Sequence, residues 1–433
     1  MSLKDRLNRL TGEGPNKLGT QPRNETISDL RRKVEALMTR RERISQAGSG
    51  QPRGSAIPLE HVVTGEEVEM PQGRFFFSRS RLEGSNFHGN YRVCDLACLS
   101  MEAAGILASS SDLARSNPED ALFLDTETTG LAGGTGTFPF LIGLGWFEQG
   151  DFVTCQLFAR DFSEEKAMLA FLCETAVERR FLVTFNGKAF DVGLLAARFI
   201  LNRLKDPLSS MPHLDLLHPS RRLLSHRLEN TRLVTLEEAV LGVRREDDIP
   251  GQEIPQRYFD WLRRRDGRAL EDVFRHNRLD VVSMASLARH LTDLLEVRHE
   301  RAHIHHGDLL SAARLLNERG HITSAMIKYE CLVESPDPDI SLHARKSLSL
   351  IHKKSGRWDK AVVLWEEMVS RDPHDVFAVE ELAKWYEHRV RDFRRASELV
   401  SRVLESGRAT DVERMALAYR LDRLLYKASS DKP

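Results

Sequence analysis

The stretch ALFLDTETTG, residues Ala121 to Gly130, constrains the fold more than any other part of the chain. Four apolar residues lead into two acidic ones and the stretch ends at a glycine. This order predicts a buried strand whose carboxyl end carries the function. Because side chains alternate along a strand, Asp125 and Glu127 should share one face. Two neighbouring carboxylates repel each other unless a cation lies between them, although a strand end in water also tolerates an Asp-x-Glu pair.

Length and composition set the class of protein. A chain of 433 residues exceeds one ordinary hydrophobic core, so two or three units are expected. The net charge of -1 means that any nucleic-acid binding must use local basic patches. No apolar run reaches the roughly 18 residues of a membrane span, and the N-terminal residues lack the apolar core of a secretory signal. Five scattered cysteines predict a reducing, cytoplasmic setting without membrane contact.

The residue pattern divides the chain into four segments. Residues 1–56, basic and then rich in Gly, Pro, Ser and Gln, are predicted to be a disordered or loosely helical tail. Residues 57–117 read as short strands and turns, a β-rich lead-in that packs on the next domain. Residues 118–300 alternate strands and helices and predict an α/β domain with a mixed five-stranded sheet flanked by helices. Residues 301–433 are predicted to be all-α.

The last segment is repetitive. Ala325, Ala361 and Ala396 occupy corresponding positions close to the 34-residue period of tetratricopeptide helix pairs. Pro338 and Pro373 follow the first two units, where that repeat tends to place proline. The pattern predicts a tetratricopeptide-like array of about three helix pairs. Arrays of this kind usually recognise proteins, so a protein partner is expected.

Two further acidic positions stand out in residues 118–300. Asp191 follows a strand that breaks at Asn186-Gly187, in the first turn of a predicted helix. His276 and Asp280 are four residues apart and share one face of a long predicted helix. Each has an ordinary interpretation too: the helix dipole favours a first-turn acid, and exposed His/Asp pairs are common and usually inert.

Taken in this order, the acidic residues resemble those of the DEDD superfamily of metal-dependent 3′→5′ exonucleases, which have an RNase H-like fold. The resemblance implies that four carboxylates bind two divalent cations, Mg²⁺ or Mn²⁺: Asp125, Glu127, Asp191 and Asp280. Two such ions activate a water, stabilise the pentavalent phosphorus and assist the leaving oxygen. Hard cations of this kind prefer oxygen ligands.

Other stretches are similar to the YprB-like branch of predicted exonucleases. They are FNGK at 185–188, HLDLLHP at 213–219 and RREDDIPG at 244–251. Members of this branch often carry C-terminal tetratricopeptide-like repeats, as this chain is predicted to. The resemblance covers residues 60–300 well and the repeats loosely, and it leaves the N-terminal tail out.

His276 departs from the superfamily pattern. Superfamily members have Y-x3-D or H-x4-D before the last aspartate, whereas this chain has His276-x3-Asp280. One residue of helix rotates a side chain by about 100°, so the spacing matters. His276 is either the general base that takes a proton from the attacking water or a helix residue satisfied by Asp280 or Asp272.

Several other groups are candidates with competing interpretations. Thr128, Asn186 and Lys188 are predicted substrate contacts, although Lys188 is equally well explained as a surface lysine. Asp215 and the acidic run 246–248 are interpreted as structural, with a place in the metal site as the alternative. His303, His305 and His306 are interpreted as an incidental group in a linker, with metal binding as the alternative. A basic rim for a phosphate backbone, or else a set of ion-pair partners, is offered by Arg221, Arg222, Arg227, Arg232, Arg244 and Arg245.

Two functions follow from these observations. The first is a 3′→5′ exonuclease that acts on single-stranded nucleic acid or a 3′ end. The resemblance alone favours DNA over RNA and a place in DNA repair. The second is an inactive, nuclease-like adaptor whose helical repeats bind a protein. The complete acidic set favours the enzyme, because an inactive domain has no need to keep four mutually repelling carboxylates.

Overall fold

The computed structural model describes residues 56–130, 136–296 and 304–430. The predicted tail therefore lies outside the described residues except for Ala56, as do residues 131–135 of the glycine-rich loop and His303. The strands of the described part are β1 (Glu66–Met70), β2 (Gly73–Leu82), β3 (Phe87–His88), β4 (Tyr91–Arg92), β5 (Ala121–Thr128), β6 (Pro139–Glu148), β7 (Asp151–Phe158), β8 (Phe181–Thr184) and β9 (His213–Asp215).

Seven strands form one mixed sheet in the order β1-β2-β7-β6-β5-β8-β9, and β3 pairs with β4 separately. β5, β8 and β9 are parallel neighbours, and the other pairs of the sheet are antiparallel. The five predicted strands are confirmed, but the predicted five-stranded sheet is too small. The lead-in hairpin β1–β2 extends it, because β2 covers the edge of β7 and buries Phe75 and Phe76.

Helices cover both faces of the sheet and continue to the C-terminus. In the described part they are α1 (Val93–Leu96), α2 (Met101–Ala108), α3 (Glu165–Val177), α4 (Asp191–Leu201), α5 (Leu217–Leu224), α6 (Leu233–Leu236), α7 (Ile254–Arg264), α8 (Glu271–Leu295), α9 (His306–Glu318), α10 (Ile322–Val333), α11 (Pro338–Lys354), α12 (Trp358–Arg371), α13 (Val376–Trp385), α14 (Phe393–Ser406) and α15 (Asp411–Ser430). Two of them, α6 and α13, continue as π-helical turns, Glu237–Leu241 and Tyr386–Val390.

The alternation of β5 sets the two cores. Ala121 and Phe123 belong to one apolar cluster, together with much of α8, whereas Leu122 and Leu124 belong to a second cluster on the other face. A strand buried on both faces reads as a continuous apolar run, as the sequence of β5 does. The same alternation carries Asp125 onward on the face that α8 covers.

Glycines let α8 approach the sheet closely. A Cβ atom at Gly143 of β6 would lie 2.3 Å from Oδ1 of Asn277, and one at Gly145 would lie 2.5 Å from Cγ1 of Val281. Asn277 and Val281 are one helical turn apart, so α8 rests its i, i+4 face on these two positions. Larger residues at 143 and 145 would hold α8 away from the strand end.

The helical region is built as predicted, as an all-helical array. Each helix from α9 to α15 packs against the next. The recurring alanines Ala325, Ala361 and Ala396 are fully buried, in α10, α12 and α14. This regular burial supports a repeat, and the tetratricopeptide assignment stays a prediction. The cluster on the α8 side of the sheet extends into α9–α12, and a separate cluster fills the rest of the array.

None of the helices in the described part of the chain is both long enough and apolar enough to cross a bilayer.

Candidate active site

The acidic positions meet at one edge of the sheet, where the parallel strands end. β5 carries Asp125 and Glu127 near its carboxyl end, and α4, the helix after β8, begins with Asp191. Asp280 lies in the middle of α8, which packs across β5, β6 and β7. The carboxyl ends of parallel strands form one edge, which is where such folds usually bind ligands.

Asn277 connects α8 to the end of β5. Its Nδ2 donates to Oδ2 of Asp125 over 2.9 Å, and its own Oδ1 accepts from Nε2 of Gln156 over 2.9 Å. Asn277 and Gln156 are both buried. Gly143, which pairs with Asp125 across β5 and β6, leaves the space that the amide occupies. The Asp125 carboxylate is therefore held in a fixed orientation.

Asp191 reaches the same edge from the opposite face of the sheet. Its helix, α4, packs Leu195 and Phe199 into the second apolar cluster. Oδ1 of Asp191 accepts a hydrogen bond of 2.5 Å from Oγ1 of Thr126, whose side chain lies between those of Asp125 and Glu127 in sequence but on the other face. Asp191 therefore joins the pair at the strand end through Thr126 of β5.

Asp280 is held by Arg245, whose guanidinium is only 4% exposed. Arg245 donates Nη2 to Asp280, Nε and Nη2 to Glu237 over 2.6 Å each, and Nη1 to Asp248 over 2.9 Å. One buried cation thus compensates three carboxylates. Burial lowers and these partners raise the pKa of Arg245, with a net increase, so it stays charged. For Arg245, therefore, the ion-pair alternative is the correct one.

His276 lies one turn before Asp280 and contacts it. Its Nδ1 is 2.9 Å and 3.0 Å from the two carboxylate oxygens of Asp248, and its Nε2 is 3.7 Å from Oδ2 of Asp280. Burial raises the pKa of Asp248, but the hydrogen bond to His276 and the ion pair with Arg245 outweigh it and keep the pKa below its usual value. Asp248, interpreted as structural from sequence, is in fact a direct partner of His276.

The carboxylates at the strand end interact strongly. Burial, together with the charges of Asp280 and Asp191, raises the pKa of Asp125 well above its usual range, although the hydrogen bond from Asn277 opposes the shift. Burial, then the charges of Asp125, Asp280 and Asp191, raises the pKa of Glu127 likewise. Burial raises the pKa of Asp191 to about 6, against the hydrogen bond from Thr126.

This site has the chemistry of a cation site. Four carboxylates gather at one edge of the sheet. Arg245 compensates the charge of one of them, Asp280, through a direct ion pair. Burial and the charges of neighbouring carboxylates raise the pKa values of Asp125, Glu127 and Asp191. A bound divalent ion would offset this increase, because its positive charge favours the ionised carboxylates. Among the described residues, no three of these carboxylates bring ligand atoms within 4.8 Å of one another.

An open cavity of about 650 Å³ lies against the carboxylates. The described residues that line it are Asp125, Phe185, Asn186, Leu217, Arg221, Asn230, Thr231, Arg232, Leu233, Val234 and Asp280. The lining therefore includes two basic and two acidic side chains. The cavity offers an apolar surface, amide groups and positive charge, which suits a nucleotide unit of a larger chain.

The predicted substrate contacts have different positions. Asn186 lines the cavity, and Thr128 and Lys188 are not among its described lining residues. Oγ1 of Thr128 donates to the backbone oxygen of Gly130 over 2.8 Å. Oδ2 of Asp215 accepts from the Lys188 backbone nitrogen over 3.0 Å, and Oδ1 accepts from Asn186 over 2.8 Å. Asp215 thereby fixes the loop before α4, which is the structural role expected for it.

The predicted basic rim is divided in the same way. Arg221 and Arg232 line the cavity. Arg222 pairs with Glu318, and Arg227 pairs with Asp308 over 2.8 Å. For Arg222 and Arg227, therefore, the ion-pair alternative is the correct one.

Sequence reasoning missed Thr126, Asn277 and the roles of Arg245 and Asp248. Signals existed for three of them. Asn277 is three residues before Asp280, and Gly143 of β6 leaves the space that it occupies. Arg245 and Asp248 stand in the RREDDIPG stretch that resembles the YprB-like branch. Nothing along the chain indicated that this stretch folds onto α8, because the contacts are 28 to 35 residues apart in sequence.

Comparison with known proteins agrees with this geometry. A family model described as RNase_H superfamily matches residues 122–292, a range that contains all four carboxylates, His276 and Arg245. The chain is also 34% identical over 322 residues to a Bacillus subtilis (strain 168) protein named "Uncharacterized protein YprB", covering 72% of this chain and 76% of that protein. The chain belongs to the YprB family, with an RNase H superfamily domain.

The RNase H superfamily domain gives the edge of the sheet a general function. It indicates a nuclease-type hydrolase that binds nucleic acid and generally uses divalent metal ions. The mixed sheet with its flanking helices is the RNase H-like fold that the sequence predicted. The match ends at residue 292, just before the helical region begins.

Proposed function

We propose that this protein is a 3′→5′ exonuclease of the DEDD type that hydrolyses phosphodiester bonds at a single-stranded 3′ end with two divalent cations, Mg²⁺ or Mn²⁺. The observation that carries the proposal is the meeting of Asp125, Glu127, Asp191 and Asp280 at one sheet edge, with mutually raised or burial-raised pKa values in three of them. DNA as the preferred substrate, and a place in DNA repair, rest on the family resemblance.

The four carboxylates would hold the ions. When bound, the ions supply Lewis acidity at the phosphate and lower the pKa of an attacking water. The protein's own residues orient this arrangement: Asn277 fixes Asp125, Thr126 fixes Asp191, and Arg245 fixes Asp280. Three of the four ligands thus have an outer partner, which is usual for metal-binding side chains.

His276 is proposed as the proton acceptor. Nδ1 faces both oxygens of Asp248 over 2.9 and 3.0 Å and Nη1 of Arg245 over 3.3 Å; because the contacts to the carboxylate are shorter, we assign the proton of neutral imidazole to Nδ1. Nε2 then has a free lone pair on the side of Asp280 and can take a proton there. Asp248 would stabilise the imidazolium, so the H-x3-D spacing is compatible with a base that its neighbour orients.

The cavity is proposed to hold the terminal nucleotides. Arg221 and Arg232 would meet phosphates, Phe185 offers an aromatic surface for a base, and Asn186 offers an amide. Thr128 and Lys188 remain proposed substrate contacts at the rim. The helical region would bind a protein partner, which its continuous array of packed helices supports.

The test is a panel of oligonucleotides, DNA and RNA, single- and double-stranded, labelled at either end, with Mg²⁺ or Mn²⁺. We expect shortening from the 3′ end that Asp125→Asn abolishes. Asp112→Asn, at a side chain that is 70% exposed and not among the described lining residues of the cavity, is the matched control. Unchanged shortening by Asp125→Asn would refute the assignment.

Calorimetry separates the enzyme from the inactive adaptor. The exonuclease should bind two divalent ions, and Asp125→Asn should lose at least one. A chain that binds neither ion and degrades no oligonucleotide would be the adaptor, with the helical region as its only binding surface.

A further inference from the structure

Three side chains gather away from the candidate active site, where the sheet domain meets the helical region. His226 belongs to the turn Ser225–Arg227 after α5, His305 precedes α9, and Asp308 lies in its first turn. One ligand atom from each lies within 4.8 Å of the other two. The imidazoles are exposed and the carboxylate is buried, so an ion from solvent can reach the group.

His226 directs an electron pair at the carboxylate. Its Nε2 is 3.4 Å from Oδ1 of Asp308, and the ring also makes a hydrogen bond with the backbone of Leu223. Because Nε2 faces Asp308, the bond to Leu223 falls to Nδ1, which fixes the proton of neutral imidazole there. Nε2 is then an unprotonated nitrogen that faces a negatively charged oxygen.

His305 directs a second electron pair at the same space. Its Nδ1 accepts a hydrogen bond from the Gly307 backbone nitrogen over 3.1 Å, so this nitrogen is also unprotonated. A Cβ atom at Gly307 would lie 2.3 Å from Nε2 of His226 and 3.0 Å from Nδ1 of His305. Both nitrogens therefore face one small space that glycine leaves open.

Asp308 is held from its outer side. Arg227 donates Nε to Oδ1 over 2.9 Å and Nη2 to Oδ2 over 2.8 Å. This fork fixes the carboxylate and leaves a lone pair of Oδ1 towards His226. Donors of this kind surround carboxylates that bind metals. The three side chains thus converge with no side-chain proton between them, and a metal ion bound there would replace the Gly307 backbone N–H at the Nδ1 lone pair of His305.

We propose that His226, His305 and Asp308 form a zinc-type metal site that ties the sheet domain to the helical region. Two imidazoles and one carboxylate suit Zn²⁺, with water in the fourth position, whereas Mg²⁺ prefers oxygen ligands alone. The ion pair Arg222–Glu318 already joins α5 to the far end of α9. The metal would fix the near end, and so the orientation of the array relative to the nuclease edge.

The test uses the full chain, stripped with a chelator and kept in excess Mg²⁺ to occupy the oxygen-ligand sites. Co²⁺ is added as a spectroscopic probe and then displaced with Zn²⁺. We expect one Co²⁺ per chain with visible absorption typical of low-coordinate nitrogen and oxygen ligands. His226→Gln and His305→Gln should each weaken its binding by about 100-fold or more. Zn²⁺ should raise the unfolding temperature of the wild type but not that of His226→Gln or His305→Gln.

His306→Gln is the matched control, because its ring is turned to Ser335, with Nδ1 2.8 Å from Oγ, and it should bind Co²⁺ as the wild type does. Both substituted histidines are exposed, so circular dichroism should show that the variants are folded. Co²⁺ binding by either folded variant is enough to test the proposal. Equal Co²⁺ binding by the wild type and a folded variant, or none by the wild type, overturns the proposal. Nuclease activity is a separate readout, so the failure of either proposal can be told from that of the other.

Discussion

Nδ2 of Asn277 donates to Oδ2 of Asp125 over 2.9 Å and so joins the middle of α8 to the functional end of β5. This contact depends on Gly143, whose missing side chain leaves room for the amide. The orientation of the Asp125 carboxylate on β5 therefore depends on α8, a helix about 150 residues later in the chain. The outer partners of the metal-binding groups therefore offer the sharpest tests.

Asn277→Leu keeps the side-chain size and removes the donor to Asp125. We expect metal affinity or activity to fall about 10- to 100-fold, the usual cost of removing an outer partner of a metal ligand. The measurement is nuclease rate against Mg²⁺ concentration. A variant with the wild-type metal dependence would show that Asn277 only packs.

Gly143→Ala tests the same contact from the other side. The added Cβ would lie 2.3 Å from Oδ1 of Asn277, so the amide must move and activity should fall. Gly193→Ala in α4 is the control, because nothing lies within 4 Å of its added Cβ. That change should leave the rate unchanged and stabilise the helix by up to about 1 kcal/mol.

Arg245→Gln should cost about 3–5 kcal/mol of unfolding free energy, because it leaves buried Glu237 without its partner. Adding Glu237→Gln should restore part of the loss, since the buried charge is then gone. Denaturant unfolding of both variants measures this. The exposed pair Arg115–Asp112 is the control, and Arg115→Gln should change stability by less than about 1 kcal/mol. Equal costs for the single and double variants would contradict the prediction.

The pH dependence of stability should show the burden of Asp191. Its pKa is raised from 3.8 to about 6 in the folded protein, so between these values the folded state binds more protons than the unfolded state. Rising pH through this window therefore destabilises the metal-free protein. Asp191→Asn has no carboxylate to titrate at this position. Its free energy of unfolding relative to that of the wild type should therefore increase up to about pH 6 and then level off.

Unfolding curves for the wild type and Asp191→Asn, measured in a chelator across this range, make the comparison. Groups that do not interact with Asp191 cancel in the difference, whereas Asp125 and Glu127 lose its charge in the variant. Added Mg²⁺ should stabilise the wild type more strongly as the pH rises, because protons compete with the ion. A difference in unfolding free energy between the two proteins that stays constant across this pH range would contradict the prediction.

Arg391→Gly should stabilise the helical region. Gly320, Gly356 and Arg391 stand five residues before the three repeat alanines, and all have positive φ, which is 63° at Arg391. An L-residue pays about 1 kcal/mol in this left-handed conformation, so glycine should raise the free energy of unfolding by about that amount. Gly356→Arg should lower it. Opposite signs would show that the repeat turns are not equivalent.

Much of this protein can be predicted from local pattern. The apolar run of β5 and its acidic end fixed the first strand and the shared face of Asp125 and Glu127, because strand periodicity is a short-range property. The repeat alanines were found for the same reason, since each recurs within a regular helical unit. Boundaries moved by a few residues, as for α8, predicted from Ala269 to Glu296 and found as Glu271–Leu295.

Tertiary structure decided the rest, because partners far apart in sequence cannot be matched by periodicity. The lead-in hairpin joined the sheet when β2 found the free edge of β7. Arg245 became a buried counter-ion only because its loop folds onto α8, and His305 gained its neighbours only because α9 packs against α5. The sequence by itself determined which reactive and charged side chains the protein has. Long-range packing determined which of them come into contact and which charges compensate each other.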